Sequence, residues 1–233
     1  MKNDRVMLKL SGEALAGPQG GYNDDEIIRV ARQVKEAYVN GTQIGIVIGG
    51  GNYWRGRTST NIDRSKSDSI GMLATVMNCI YVSELFRSEG MKTAILSPFI
   101  CGTMTEQYSK DLAVRYFEEG KILFFAGGTG HPFFSTDTGI MLRSAELDVD
   151  MIFMAKNIDG VYDKDPGKNP DAKRFDKISI DDVISHNLKV IDLTASSMAK
   201  EYKLPIAIFD LKEKDSIISA LRGKINGTII TVD

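Results

Sequence analysis

A chain of 233 residues is long enough to bury a substantial core, and its 42% hydrophobic and 26% charged residues exclude a disordered or fibrous chain. The formal net charge of -2 gives no general attraction for nucleic acid or an anionic membrane, so any bound anion must be held locally. Cys79 and Cys101 are too few for a disulfide framework; with no apolar signal segment after Met1 and no apolar run expected to reach membrane-spanning length, the expectation is one reduced, cytoplasmic domain over residues 1–233.

Residues 5–10 read as a first strand ending beside Ser11 and Gly12, with Lys9 near its carboxyl end. The run from Gly17 through Pro18, Gln19, Gly20 and Gly21 to Tyr22 can only be a loop. From Asp24 to Asn40, Ile27, Val30, Ala31 and Val34 recur at helical spacing, acids open the helix and Gly41 ends it. Ile44 to Ile48 is a short β-branched run suited to a strand buried on both faces. It breaks into Gly49, Gly50 and Gly51, whose bare backbone can approach a phosphate, with Arg55 four residues on to add charge. A plain turn is the competing reading of such a triplet.

The stretch between Trp54 and Ser69 is polar and reads as a loop, with Asp68 just before, and capping, a helix of about twenty residues that ends near Gly90. Further strands are expected at Thr93 to Leu96, Ile122 to Ala126, Met151 to Ala155, Ile206 to Phe209 and Thr228 to Val232. Strands alternating with helices imply an α/β fold: three layers, αβα, around a central, mainly parallel sheet. Ligands of such sheets collect at the strands' carboxyl ends, where Lys9, Gly49 to Gly51 and Gly127 to Thr129 all fall.

A second glycine-rich loop runs from Ala126 to Asp137. His131 reads as a loop residue, and Phe133 and Phe134 as core or as a surface for a base. Asn157 to Pro166 opens a further strand-end loop in which Tyr162 either stacks on a purine or packs inward, and a mobile segment is expected from Asp165. Gly167-Lys168 lacks the Walker spacing, the Gly49 triplet lacks the dinucleotide spacing, and no cluster of Cys and His suggests zinc. Several anion-ready loops, one lysine, one arginine and spaced aspartates fit phosphoryl transfer, which needs positioning and charge neutralisation above all.

Taken together, Lys9-Leu-Ser-Gly-Glu-Ala-Leu, Val47-Ile-Gly-Gly-Gly-Asn, Trp54-Arg-Gly, Gly71-Met-Leu-Ala-Thr-Val-Met-Asn, Gly128-Thr-Gly-His-Pro-Phe-Phe-Ser-Thr-Asp and Asp159-Gly-Val-Tyr resemble the bacterial uridylate (UMP) kinases, of the amino acid kinase fold. The resemblance is collinear over nearly the whole chain. It implies transfer of the ATP γ-phosphoryl group to UMP, with Mg²⁺ accompanying ATP, in pyrimidine nucleotide biosynthesis. On matching positions it implies that Lys9, Leu10, Ser11, Gly12, Gly51 and Arg55 hold ATP phosphates, with Asn157 (or Lys156), Tyr162 and Asp165 on the adenosine side. Gly50, Asp68, Thr129, Gly130, His131, Pro132, Phe133, Phe134, Ser135 and Thr136 would hold UMP. Asp137 and Asp192 would organise the lysine and metal, a helix cap or turn being the alternative for each. The resemblance also implies a homohexamer, and regulation by GTP (activator) and UTP (inhibitor) through residues 17–22. Two other readings are a kinase acting on a carboxylate or carbamate, and a non-catalytic nucleotide or oxyanion binder. Lys9, Arg55, Asp68 and Asp165 together argue against the second of these.

Overall fold

β1 (Arg5–Leu10) and β2 (Gln43–Ile48) lie side by side in parallel, with Lys9 opposite Val47, and both are buried along most of their length. The computed structural model, which describes residues 4–17, 20–54 and 61–232, extends this pair in both directions. The further strands are β3 (Thr93–Ser97), β4 (Glu106–Gln107), β5 (Ile122–Phe125), β6 (Met151–Lys156), β7 (Val161–Tyr162), β8 (Arg174–Phe175), β9 (Lys177–Ser179), β10 (Ile206–Asp210) and β11 (Gly227–Thr231). Among the described residues, nine strands form one sheet in the order β4-β3-β5-β2-β1-β6-β10-β11-β9. Its pairings are parallel except β10 with β11. β7 and β8 form a separate antiparallel hairpin.

The helices are α1 (Asp24–Val39), α2 (Arg64–Ser88), α3 (Lys110–Glu118), α4 (Thr136–Glu146), α5 (Ile180–Ser185), α6 (Leu193–Glu201) and α7 (Ser216–Leu221). Side chains of α1, α2 and α7 pack into one core and those of α3 to α6 into another, one on each face of the sheet. This is the three-layer α/β arrangement. Strand alternation divides β1 between the two faces: Val6, Leu8 and Leu10 join the first core and Met7 the second. Lys9, two residues after Met7, therefore rises on the face covered by α4.

α1 begins and ends as its sequence implies. The Asn23 side chain accepts from the Glu26 N–H, and Gly41 follows with φ +84°. The start of α2 differs from expectation. Its N-cap is Asp63, which accepts from the Lys66 N–H, and Asp68 lies in the second turn rather than before the helix. The apolar spacing begins only at Ile70, which hides the polar first turns. α2 also corrects the expectation that no stretch could span a membrane: by length and composition alone it is long and apolar enough. Here one side of it packs on the sheet through Val76, Cys79, Val82 and Phe86.

Candidate active site

β1 and β6 pair with Lys9 opposite Met154, so Lys156 ends its strand two residues beyond that register and on the same face. The first turn of α4 brings Asp137 between these two ammonium groups. Lys9 Nζ lies 2.5 Å from Asp137 Oδ1, and Lys156 Nζ lies 3.4 Å from Oδ2 and also donates to the Val190 carbonyl. Burial alone would push the Asp137 carboxyl up, but the two ammonium groups hold it down at about 2. Burial lowers the Lys156 ammonium against the pull of Asp137. Asp192 stands beside the same group, so two ammonium groups and two carboxylates meet at the strands' carboxyl ends. Lys156 is the functional residue that the sequence reading missed in this role, having considered it only as an adenosine-side contact; extending the alternation of Ile152 and Met154 by one step points to it.

α4 itself is capped by Ser135, whose hydroxyl accepts from the N–H groups of Asp137 (3.0 Å) and Thr138 (3.2 Å). That hydroxyl donates to Asp192, which in turn caps α6 by accepting from the Ala195 N–H at 3.0 Å. Asp192 is thus a helix cap and an organiser of the α4 terminus at once. The capped N-terminus of α4 faces the same region, where the helix dipole favours anions.

On one side of this cluster lies a cleft of about 320 Å³ lined by Gly50, Gly51, Asp68, Thr129, His131, Phe134, Ser135 and Thr136, together with Glu13, Trp54 and Thr75. Asp68 is held there by hydrogen bonds: Arg64 Nε donates to it at 2.9 Å and the Phe133 N–H at 2.8 Å. The second bond holds Phe133 at φ +72°, an uncommon conformation for a side chain of that size. Phe133 and Phe134 are both exposed, which excludes the core reading for them. Gly130, Pro132 and Phe133 are not among the cleft's lining residues; they set the loop's path, Gly130 at φ +85° against Pro98.

The glycine triplet is packed as well as bare. A Cβ on Gly50 would come 2.8 Å from the Gly71 carbonyl of α2, and one on Gly12 would come 2.1 Å from the Gly49 carbonyl. Leu10 is wholly buried, so only its backbone is at hand for a ligand.

On the other side, Ser135, Asp137, Lys156, Asp192 and residues 187–190 enclose about 380 Å³, and residues 187–190 continue into a third cavity of about 510 Å³ with Gly160, Tyr162 and Asp165. Ser135 belongs to the first two cavities, so the three form one trough along the sheet's edge. Asn157 is exposed and lines none of them, whereas its neighbour Lys156 does. Tyr162 donates to Asp159 at 2.8 Å, and Asp165 opens a turn by accepting from the Gly167 N–H at 3.0 Å. The expected mobile segment therefore begins in a hydrogen-bonded turn. Arg55, Pro18 and Gln19 lie outside the described residues. Of the remaining loop positions, Gly17 accepts from the Gly20 N–H, Gly20 and Gly21 have positive φ, and Tyr22 reaches Asn78 of α2.

The fold has counterparts among solved structures. The chain is similar in structure to the UMP kinase from Bacillus anthracis, with a TM-score of 0.95 and 32% identity over 100% of this chain and 98% of that one. It is similar also to the UMP kinase from Ureaplasma parvum, with a TM-score of 0.93 and 31% identity over 99% and 100% of the two chains. The model of the amino acid kinase family matches residues 4–210, and the chain belongs to that family.

Proposed function

We propose that this chain, as a single amino acid kinase domain over residues 1–233, transfers the γ-phosphoryl group of ATP to UMP, giving UDP and ADP for pyrimidine nucleotide synthesis. The observation that carries this reading is the Lys9–Asp137–Lys156 cluster between two nucleotide-sized ends of one trough. UMP would lie in the Asp68 cleft, its ribose hydroxyls donating to that carboxylate, and ATP toward Tyr162 and Asp165. An oxygen of the UMP phosphate attacks the γ-phosphorus, the bond to the bridging oxygen breaks, and ADP leaves with that electron pair. Lys9 and Lys156 meet the charge on the moving oxygens. Asp137, held ionised far below neutral pH, positions them and takes no proton. Arg55, Ser11 and Gly12 complete the reading on the phosphate side.

Among the described residues, no group of three or more His, Cys, Asp or Glu side chains is placed to hold a metal. Mg²⁺ is commonly bound in such sites by one or two carboxylates and the substrate's own phosphates, and Asp137 and Asp192 are the carboxylates at the junction. The ion would therefore enter on ATP, where it neutralises phosphate charge.

A coupled assay with Mg-ATP against UMP, CMP, dTMP, glutamate, aspartate and carbamate tests the assignment. UMP is the expected acceptor, and turnover of glutamate, aspartate or carbamate with UMP inert would replace it with the acyl-phosphate reading. In the same assay, Asp68→Ala should raise KM for UMP about 10- to 100-fold, the worth of hydrogen bonds to a charged group at ~1.5–3 kcal/mol. An unchanged KM would remove Asp68 from the UMP site.

The outer side of α2 supports assembly. Ile70, Leu73, Met77 and Ile80 are exposed at spacings of one helical face, an apolar stripe that a second copy of the chain could cover. A homohexamer is the assembly read from the family resemblance, and light scattering that returned a single-chain mass would refute it. GTP as activator and UTP as inhibitor belong to the same reading, acting at Gly17 to Tyr22; titrating each against the rate decides this. The compartment proposed is the cytoplasm.

A further inference from the structure

We propose that Asn78, in the middle of α2, is a positioning residue that sets the phosphate-facing glycine turn through Gly49 and Asn52; this rests on the phosphoryl-transfer reading of the trough. Asn78 is 1% exposed, and a carboxamide so placed is costly unless its bonds are made. All of them are. Its Nδ2 donates to the Gly49 carbonyl and to Asn52 Oδ1, each at 2.8 Å. Its Oδ1 accepts from Asn52 Nδ2 at 3.0 Å and from the Tyr22 hydroxyl at 3.1 Å. Two donors and two lone pairs are thereby used in full. The Gly49 carbonyl can only accept, which fixes the end of Asn78 that faces it.

Asn is a weak helix former, and an apolar residue would fill this interior position without needing partners. What the carboxamide adds is placement. The paired amides of Asn52 and Asn78 lock the turn after β2 onto α2. Asn52 Oδ1 and the Gly49 carbonyl also lie 2.7 Å and 2.1 Å from where a Cβ on Gly12 would stand, so the turn after β1 is seated against the same group. Gly50 and Gly51, between Gly49 and Asn52, line the acceptor cleft. The height of their backbone above the sheet is therefore set from α2. Tyr22, stacked on Tyr81 at 3.8 Å, joins the turn before α1 to the same carboxamide.

The test is a kinetic cycle on the full chain. Asn78→Ala and Asn52→Ala should each lower kcat about 10²-fold, the scale of a misplacement near 1 Å, with KM for ATP and UMP changed only a few-fold. The double variant should be no slower than the worse single one, since both break one unit. Asn52→Ser, at a less buried position, serves where Asn78→Ala does not fold. Wild-type kcat in folded single variants, or multiplicative losses in the double variant, would overturn the role. The acceptor panel tests the reading beneath it separately: with another acceptor established for the wild type, the same cycle run on that acceptor still decides whether Asn78 positions the turn.

Discussion

Lys9→Ala is expected to lower kcat by about 10²- to 10³-fold, the usual effect of removing one preorganised charge from a transition state, while KM for UMP moves little. The expectation rests on where the ammonium lies. Lys9 is carried on the strand at the centre of the trough, its side chain only 12% exposed, and it is fixed by an ion pair with Asp137 rather than free to follow solvent. A charge held in that way needs no reorganisation as negative charge spreads over the transferring group. On the proposed reading UMP binding would draw on Asp68 and the 129–136 loop at the far end of the cleft, so kcat and kcat/KM should fall together, as they do when an interaction is made only in the transition state. Folding should be less affected, because Lys156 remains to pair with Asp137. Initial rates over a grid of ATP and UMP concentrations measure this. Full turnover in the variant would take Lys9 out of the chemistry.

Much of the fold could be read from short-range pattern. The β-branched run at 44–48, the apolar spacing of α1 and the glycine after it each combine a local preference with burial, and the strands and helix lie where those signals put them. What escaped reading depends on register or on very short elements. β4, β7 and β8 have two residues each, too few to show a period. α2 begins at Arg64 because a cap at Asp63 starts it, yet the polar first turns resemble loop until the apolar spacing sets in. In the site, Asp68 and Asp137 were visible by residue type, although Asp68 was expected before α2 and lies in its second turn. Lys156 was not visible as a partner of Lys9, since only the pairing of β1 with β6 shows that both point at α4. The bare-backbone reading of Gly50 is incomplete for a similar reason: the need for glycine comes partly from α2, which is distant in sequence.

Asp137→Asn should be the most destabilising single change in the trough, by about 3–5 kcal/mol at neutral pH, because it removes the carboxylate with which both Lys9 and Lys156 are paired. The pH dependence identifies the cause. In the wild type the folded carboxyl has a pKa of about 2 against an ordinary 3.8, so it is depressed. Its stabilisation is fully present above the unfolded value and is lost as pH falls through the folded one, a limb of roughly 2 kcal/mol between about pH 4 and pH 2. An amide does not titrate, so the variant lacks that limb and the gap between the two proteins narrows in acid. At the alkaline end the sign comes from Lys156, whose ammonium is already lowered by burial. A lysine with a depressed folded pKa weakens the fold in full below that pKa, and the penalty fades as pH rises from there to the unfolded value. Without Asp137 this penalty grows, and the variant should regain stability relative to wild type as rising pH neutralises Lys156. Adding Lys156→Met to Asp137→Asn should recover part of the loss at neutral pH for the same reason. Urea denaturation across pH 2 to 10 measures all three proteins. Parallel curves for wild type and Asp137→Asn would mean that the carboxylate is not balanced against the two lysines, and the electrostatic account of the junction would fall with it.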